Sequence, residues 1–186
     1  PLHIDEKISR PIPFAQSRGV VLLVKKGNPK QLSSKISDLL RDEIQIACSS
    51  PTKEKASFGV YSTTLCNLAF VEGGQQMSDE MNTQLINRAS HSGRIHHREI
   101  PQLIANDKAD VAPLYYHLAL RYVTIFPELF QFIPLGGTKD DPQPGPEHKL
   151  NTYLVSVVKE NEGEWGSAFA DFMLSQDVAG IYKEKG

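Results

Sequence analysis

The segment over residues 49–59 carries the clearest binding chemistry in the sequence, because it joins a predicted buried strand to a predicted helix. It holds hydroxyl side chains and two lysines, and Ser57 stands where the helix N-cap is expected. Unpaired N–H groups at a helix N-terminus, helped by the positive end of the helix dipole, attract an anion. The same residues also fit a capped helix behind a polar loop, so both interpretations stay open at this point.

Two adjacent tyrosines, Tyr115 and Tyr116, follow the predicted strand over residues 109–114. A phenol at the end of a central strand can donate a hydrogen bond to a bound anion while its ring forms a pocket wall. Tyr115 is the better candidate because it lies closer to the strand. Packing of one ring in the core is the alternative.

The sequence predicts neither a metal site nor an enzyme. His91, His96 and His97 lie close together, but adjacent histidines point apart on a strand, and no Cys or carboxylate pair completes a tetrahedral set. We find no nucleophile elbow, phosphate loop, dinucleotide fingerprint or Ser-His-Asp spacing. No catalytic residue, metal or cofactor is therefore expected.

Short apolar runs alternate with helical patterns along the chain, which is typical of an α/β domain with a mostly parallel sheet flanked by helices. The run over residues 20–24 is continuous, as expected of a strand buried on both faces. The predicted strands cover residues 20–24, 44–48, 94–96, 109–114, 129–134 and 151–158.

Helical spacing of apolar residues defines the remaining elements. Ser33 or Ser34 is expected to cap the first helix, Gly73 and Gly74 to end the second, and Ser175 to cap the last. Residues 136–149 are rich in Gly, Pro and Asp and predict a loop. The predicted helices cover residues 33–40, 57–72, 78–89, 100–105, 116–122, 164–174 and 175–186.

The order of these elements locates the expected binding edge. In open α/β sheets ligands bind outside the carboxyl ends of the strands, where the helices begin. That rule selects the segments over residues 49–58, 96–99 and 113–117.

Composition excludes several functional classes. The 186 residues carry a formal net charge of −2 and are 40% hydrophobic, so no global positive field would attract nucleic acid. No apolar run approaches the roughly 20 residues that span a bilayer. The two cysteines, Cys48 and Cys66, leave open a disulfide or two buried thiols.

Taken in order, these segments resemble the type II periplasmic solute-binding proteins, and within them the molybdate- and tungstate-binding branch. The resemblance covers residues 11–186 and depends on the order and spacing of motifs that are each weakly specific. The similar segments are residues 13–24 with the Lys-Gly-Asn-Pro turn at 26–29, 36–40, 44–51 with 57–61, 109–115, 153–158 and 168–186.

The resemblance implies a function and a set of site residues. In that family a small oxyanion lies between two lobes and is held by backbone N–H groups and hydroxyls. By position, the ligand contacts would be Ser57, Phe58, His97 and Tyr115. The protein would be extracytoplasmic and would deliver its oxyanion to the membrane subunits of an ABC importer, with no direct contact to nucleic acid.

The expected organisation is that of the C-terminal portion of such a protein, without the start of the N-terminal lobe. C-terminal closing helices would follow the lobe, and a dimer partner or a swapped segment would cover an apolar face at Trp165, Phe169 and Phe172. The expected divisions are an extended segment at 1–18, an α/β ligand-binding lobe at 19–135, a linker at 136–150, and a hinge strand with helices at 151–186.

Two departures from the family pattern leave the ligand open. Phe58 replaces a small residue, and residues 116–118 replace a Gly-Ser-Asp-type continuation. Molybdate, tungstate, another oxyanion and a small organic anion all remain candidates. The alternative function is the ligand-sensing domain of a transcription regulator with the same fold.

Overall fold

The computed structural model describes residues 7–158 and 164–185. The chain forms two compact units, one of residues 18–150 and one of residues 1–17 with 151–186. The domain divisions expected from the sequence stay a prediction. We describe the larger unit first, because it contains the segments predicted to bind a ligand.

The core of the larger unit is formed by β-strands, most of which are connected by helices. Strand β2 (Val20–Lys25) pairs with β5 (Val111–Tyr115) on one side and with β6 (Phe130–Pro134) on the other, both antiparallel. Strands β3 (Ala47–Cys48) and β4 (Ser90–His91) pair in parallel. A parallel bridge between Ile46 and Val111 joins the two groups.

The α/β fold class is therefore confirmed, but the sheet is mixed in its pairing. Of the strands described between residues 18 and 150, all except β2 run in the same direction, as the pairings require. Strand β2 lies between β5 and β6 and opposes both. Its residues Val20 to Val24 are at most 1% exposed, which confirms a strand buried on both faces.

Helix α1 (Lys55–Thr83) is longer than expected because the chain kinks at Gly73 and Gly74 and then continues as helix. The chain departs from helical geometry at the two predicted glycines, but only at those residues. The helix then resumes and is followed by a π-helical turn, Gln84–Arg88. The first half of α1 packs on the sheet. Its buried residues follow helical spacing and are Val60, Tyr61, Thr64, Leu65 and Ala69.

The predicted helix over residues 33–40 is wrong in its start. A 3-10 helix, Ile36–Leu40, forms instead, and the Ser33 N–H and hydroxyl both donate to the Asp38 carboxylate at 2.7 Å. The N–H groups of Ile36 and Ser37 donate to the Glu72 carboxylate of α1, at 2.6 and 3.1 Å. A carboxylate distant in sequence thus takes the capping role that sequence spacing assigns to a serine.

The predicted strand over residues 94–96 is also wrong. The strand beside β3 is β4, and helix α2 (His96–Ala105) begins four residues earlier than the sequence indicates. The N–H groups of Gly93, Arg94 and Ile95 donate to the Glu99 side chain and are unavailable to a sheet. Helix α3 (Tyr116–Ile125) follows β5 directly, as predicted.

The smaller unit contains a strand pair and two helices. Strand β1 (Ile12–Gln16), which the sequence does not predict, pairs antiparallel with β7 (Thr152–Val155). Helices α4 (Glu164–Met173) and α5 (Gln176–Lys185) follow, and Ser175 accepts the Val178 N–H at 3.4 Å as the predicted cap. The α4 aromatics are exposed, with Trp165 at 86%, which confirms the apolar face. What covers this face stays a prediction.

The structure also answers the question about the cysteines. Cys48 and Cys66 are both free thiols, and burial raises the pKa of Cys48 to about 12, so this thiol is inert at neutral pH. Within the described part of the chain, no helix has the length and apolarity that crossing a bilayer requires.

Gly19 provides a test of the packing where the loop over residues 136–149 meets β2. Gly19 has φ +83°, and a Cβ there would lie 2.5 Å from His148 Nδ1. We expect Gly19→Ala to lower the free energy of unfolding by about 3 kcal/mol, from backbone strain plus the clash.

Gly27→Ala is the matched control, since Gly27 has φ +82° with nothing within 4 Å of the added Cβ. It should cost only the strain of the left-handed backbone, about 1 kcal/mol. Urea denaturation of both variants measures the difference. Equal costs would show that the contact with His148 contributes nothing.

Candidate anion site at the carboxyl edge of the sheet

The three predicted ligand segments do meet at one edge of the larger unit. Strands β3, β4 and β5 run parallel, so their carboxyl ends lie together. The Ser92 N–H donates to the Cys48 carbonyl at 3.0 Å, and the Ser50 N–H donates to the Ser92 hydroxyl at 3.2 Å. Helices α1, α2 and α3 all begin at this edge, as the rule for α/β sheets requires.

The start of α1 leaves several N–H groups available. The Ser50 hydroxyl accepts the N–H groups of Thr52 and Lys53, and its carbonyl accepts the Glu54 N–H. Among the described residues, none accepts a hydrogen bond from the first-turn N–H groups at positions 55, 56 and 57. These amides carry the positive end of the dipole of a long helix.

The start of α2 is already occupied by carboxylates of the protein itself. The Glu99 side chain accepts three N–H groups, from Gly93, Arg94 and Ile95, and Glu54 accepts the His96 N–H at 3.1 Å. The next amide, that of His97, pairs with no acceptor in the described ranges. The anion-binding capacity of this helix start is thus reduced to one N–H group.

His97 is held in place through its carbonyl. Pro101 lies inside α2 and lacks the N–H that would bind the carbonyl four residues earlier, which is that of His97. The Tyr122 hydroxyl of α3 donates to that carbonyl at 2.6 Å. Burial lowers the pKa of His97, and the positive charges of Arg98 and Arg121 lower it further, so the ring is neutral at pH 7.

The other predicted contacts occupy distinct positions. The predicted N-cap at Ser57 is wrong, because α1 begins at Lys55 with Glu54 as its N-cap residue and Ser57 lies in the first turn. The Phe58 N–H donates to the Glu54 carbonyl at 3.0 Å, and its half-buried ring lies 6.1 Å from the His91 ring. Tyr115 is 8% exposed and its ring stacks on His117 at 5.7 Å. Their roles as ligand contacts stay predictions.

A buried chain of hydrogen bonds connects the three segments. Glu54 Oε1 lies 2.7 Å from His96 Nδ1, and His96 Nε2 lies 3.1 Å from the Tyr61 hydroxyl. That hydroxyl accepts the Tyr115 N–H at 3.4 Å. The Ser92 hydroxyl donates to Glu54 Oε2. The sequence gives no direct signal for this chain, because Tyr61 matches a core position of α1 and Glu54 matches a solvated loop.

His91 and His96 both use ring nitrogens in hydrogen bonds within the protein. His91 Nε2 lies 2.8 Å from the Leu85 carbonyl, and both ring nitrogens of His96 are paired. Within residues 7–158 and 164–185, no three His, Cys, Asp or Glu side chains come together as a metal site. What the edge offers chemically is a set of neutral N–H donors beside aromatic rings.

Two cavities lie on other surfaces of the larger unit. One of about 660 Å³ is bordered by the second half of α1, including Asp79 and Glu80, and one of about 370 Å³ lies between α2 and α3. Neither is lined by Ser57, Phe58, His97 or Tyr115. These two cavities are therefore separate from the candidate site.

Several solved structures are similar to this chain in fold. PEB3 from Campylobacter jejuni, bound to L-phospholactate, aligns with a TM-score of 0.63 and 17% identity over 97% of this chain and 68% of PEB3. The substrate binding domain of a putative molybdenum ABC transporter from Clostridium difficile gives 0.61 and 18%, over 98% and 66%. The sulfate-binding protein SubI from Mycobacterium tuberculosis gives 0.65 and 21%, over 94% and 56%.

These similarities show the fold, which is that of a type II periplasmic binding protein. The chain spans between about half and two thirds of the length of those proteins. The model of the family described as bacterial extracellular solute-binding protein matches residues 2–186, and the chain belongs to that family. No curated protein sequence matches the chain.

Glu54 makes the free energy of unfolding depend on pH. Burial opposes its ionisation, but hydrogen bonds from Ser92 and His96 outweigh burial and hold the pKa at about 2, below the ordinary value of 4.5. Its stabilising effect is therefore complete above pH 4.5 and is lost as the pH falls towards 2. We expect Glu54→Gln to lower the free energy of unfolding by about 2–3 kcal/mol at pH 6, and by much less at pH 2.5.

The control is Glu128→Gln, at an exposed glutamate between α3 and β6. Urea denaturation at pH 6 and at pH 2.5 measures both variants against the parent. A cost for Glu54→Gln that is the same at the two pH values would show that the ionised carboxylate is not what stabilises this edge.

Proposed function

We propose that this protein is the solute-capturing component of an ABC importer and that it binds a small oxyanion at the edge where α1 and α2 begin. The observation that carries the proposal is that the unpaired first-turn N–H groups of α1 and the unpaired His97 N–H belong to two helix starts that the Glu54–His96 contact joins. Membership in the extracellular solute-binding family supports capture over catalysis. It also favours an extracytoplasmic binding protein over the ligand-sensing domain of a transcription regulator.

The donor set suits an oxyanion. An anion that leaves water must exchange each lost hydrogen bond for another, and hydrogen bonds to a charged group contribute about 1.5–3 kcal/mol each. The amides at positions 55–57 and at His97 offer donors that are fixed by helix geometry and need no reorganisation. The larger unit thus supplies one wall of a two-lobed site, and the importer's membrane subunits receive the closed, loaded form.

The ligand class follows from the walls of the site. Phe58 follows the α1 donors in the same helix, Tyr115 is bonded through its N–H to Tyr61 of that helix, and neither ring provides a formal charge. Structures with this fold include proteins described as sulfate-binding, as part of a molybdenum transporter and as bound to L-phospholactate. We propose a tetrahedral oxyanion group, molybdate or tungstate being the first candidates, free or as part of a small organic acid.

A thermal-shift screen tests the proposal. The full-length protein is heated with molybdate, tungstate, sulfate, phosphate, L-phospholactate and, for comparison, chloride. A probe at a hundred times its dissociation constant adds about 2.7 kcal/mol to stability, which raises Tm by about 5–10 °C at this size. Folded, ligand-free protein that shows no shift with any oxyanion would refute the proposal.

The contribution of the α1 amides can be isolated with one substitution. Lys55→Pro removes the first N–H of the helix, at the position where proline is best tolerated. We expect its affinity for the tightest probe to fall at least tenfold, because one charge-assisted hydrogen bond is lost.

Lys55→Ala is the matched control, since it removes the same side chain and keeps the N–H. Isothermal titration calorimetry of the two variants separates side chain from amide. If Lys55→Ala loses as much affinity as Lys55→Pro, the lysine charge and not the helix amide holds the anion.

A further inference from the structure

The hydrogen-bonded chain of Glu54, His96 and Tyr61 has a role that the contact residues do not explain. We propose that these three residues form a buried positioning relay, which sets anion affinity by holding the two helix starts and Tyr115 in register without touching the anion. This inference rests on the proposed function, since it concerns how the same site reaches its affinity. It gives a role to three residues that neither the sequence motifs nor the family resemblance names as ligand contacts.

The direction of the relay follows from its donors and acceptors. The Glu54 carboxylate is ionised at neutral pH and can only accept, so His96 Nδ1 carries a proton and donates to it. In the tautomer with its proton on Nδ1, His96 presents Nε2 as an acceptor, and the Tyr61 hydroxyl donates to it. The Tyr61 oxygen is left to accept the Tyr115 N–H, so each member fixes the orientation of the next.

Burial excludes direct contact of Tyr61 and His96 with a ligand, and the Glu54 carboxylate, which is 16% exposed and ionised, would repel an anion. Tyr61 is 0% exposed and His96 is 6% exposed. The Tyr61 ring packs between its partners, 4.9 Å from the Tyr115 ring and 5.8 Å from the His96 ring. These side chains therefore act through the groups that they position.

The relay reaches every donor segment of the candidate site. Glu54 immediately precedes the first amides of α1, and its carboxylate also accepts the backbone N–H of His96, the residue before His97. Tyr61 belongs to α1 and binds the last residue of β5. A site of fixed donors loses affinity when its support loosens, and removal of comparable supporting groups around metal ligands costs about ten- to a hundredfold.

Two conservative variants test the relay in the full-length protein. Tyr61→Phe removes one hydroxyl and keeps the ring, and Glu54→Gln keeps the shape but removes the charge. We expect each to weaken binding of the tightest of molybdate, sulfate and inorganic phosphate by about tenfold, measured by calorimetry where the variant is fully folded. Leu39→Ala is the control, because Leu39 is 0% exposed in the 3-10 helix and its loss costs stability without reaching the site.

The outcomes separate the relay from the proposed function. Weaker binding in Tyr61→Phe and Glu54→Gln, with affinity kept in Leu39→Ala, supports the relay. Affinity unchanged in both relay variants, or lost equally in Leu39→Ala, overturns it.

A second readout needs no ligand. In nuclear magnetic resonance spectra, Tyr61→Phe should shift the His96 ring proton together with the amide signals of Tyr115, His97 and the first turn of α1. If the parent protein binds none of the oxyanions in the thermal-shift screen, the proposed function fails, and these signals alone test whether Tyr61 positions the two helix starts. Amide signals that stay unchanged in Tyr61→Phe overturn it.

Discussion

The pair formed by the Glu54 carboxylate and the His96 imidazole is the interaction on which the candidate site depends. Glu54 precedes α1 and His96 begins α2, so a contact of 2.7 Å joins two helix starts that are about forty residues apart. Such a pair is stable when buried only if further hydrogen bonds satisfy both partners. Ser92, the His96 N–H and Tyr61 supply them. The ends of the parallel strands bring these groups together, and the Glu54–His96 contact fixes the position of the start of α1 relative to the start of α2.

The protein's own carboxylates decide which helix start is free for a guest anion. Glu99 and Glu54 take four successive N–H groups, from Gly93 to His96, and their charges offset the dipole of α2. Among the described residues, no carboxylate accepts the first-turn N–H groups of α1, because that of Glu54 is bonded to Ser92 and His96 instead. An external anion would therefore be held mainly by α1, with His97 as the contribution from α2.

Sequence reasoning identified the elements that depend on local apolar pattern, and it failed where distant side chains decide. The buried run at β2, the kink at Gly73 and the strand leading to Tyr115 follow from residues close in sequence. The start of the 3-10 helix is set by Glu72, 36 residues from Ile36, and no local spacing contains that information. The meeting of the three helix starts at one edge was predictable because strand order places them there. The relay was not, since Tyr61 matches an ordinary core position of α1.

The most direct measurement is a titration of the 15N-labelled protein with molybdate, sulfate or phosphate, followed through its backbone amide signals. If fixed helix amides hold the anion, the largest shifts will come from Lys55, Ala56, Ser57 and His97, and they will saturate together. Saturating shifts that cluster elsewhere, for example around the cavity beside Asp79 and Glu80, would contradict the account.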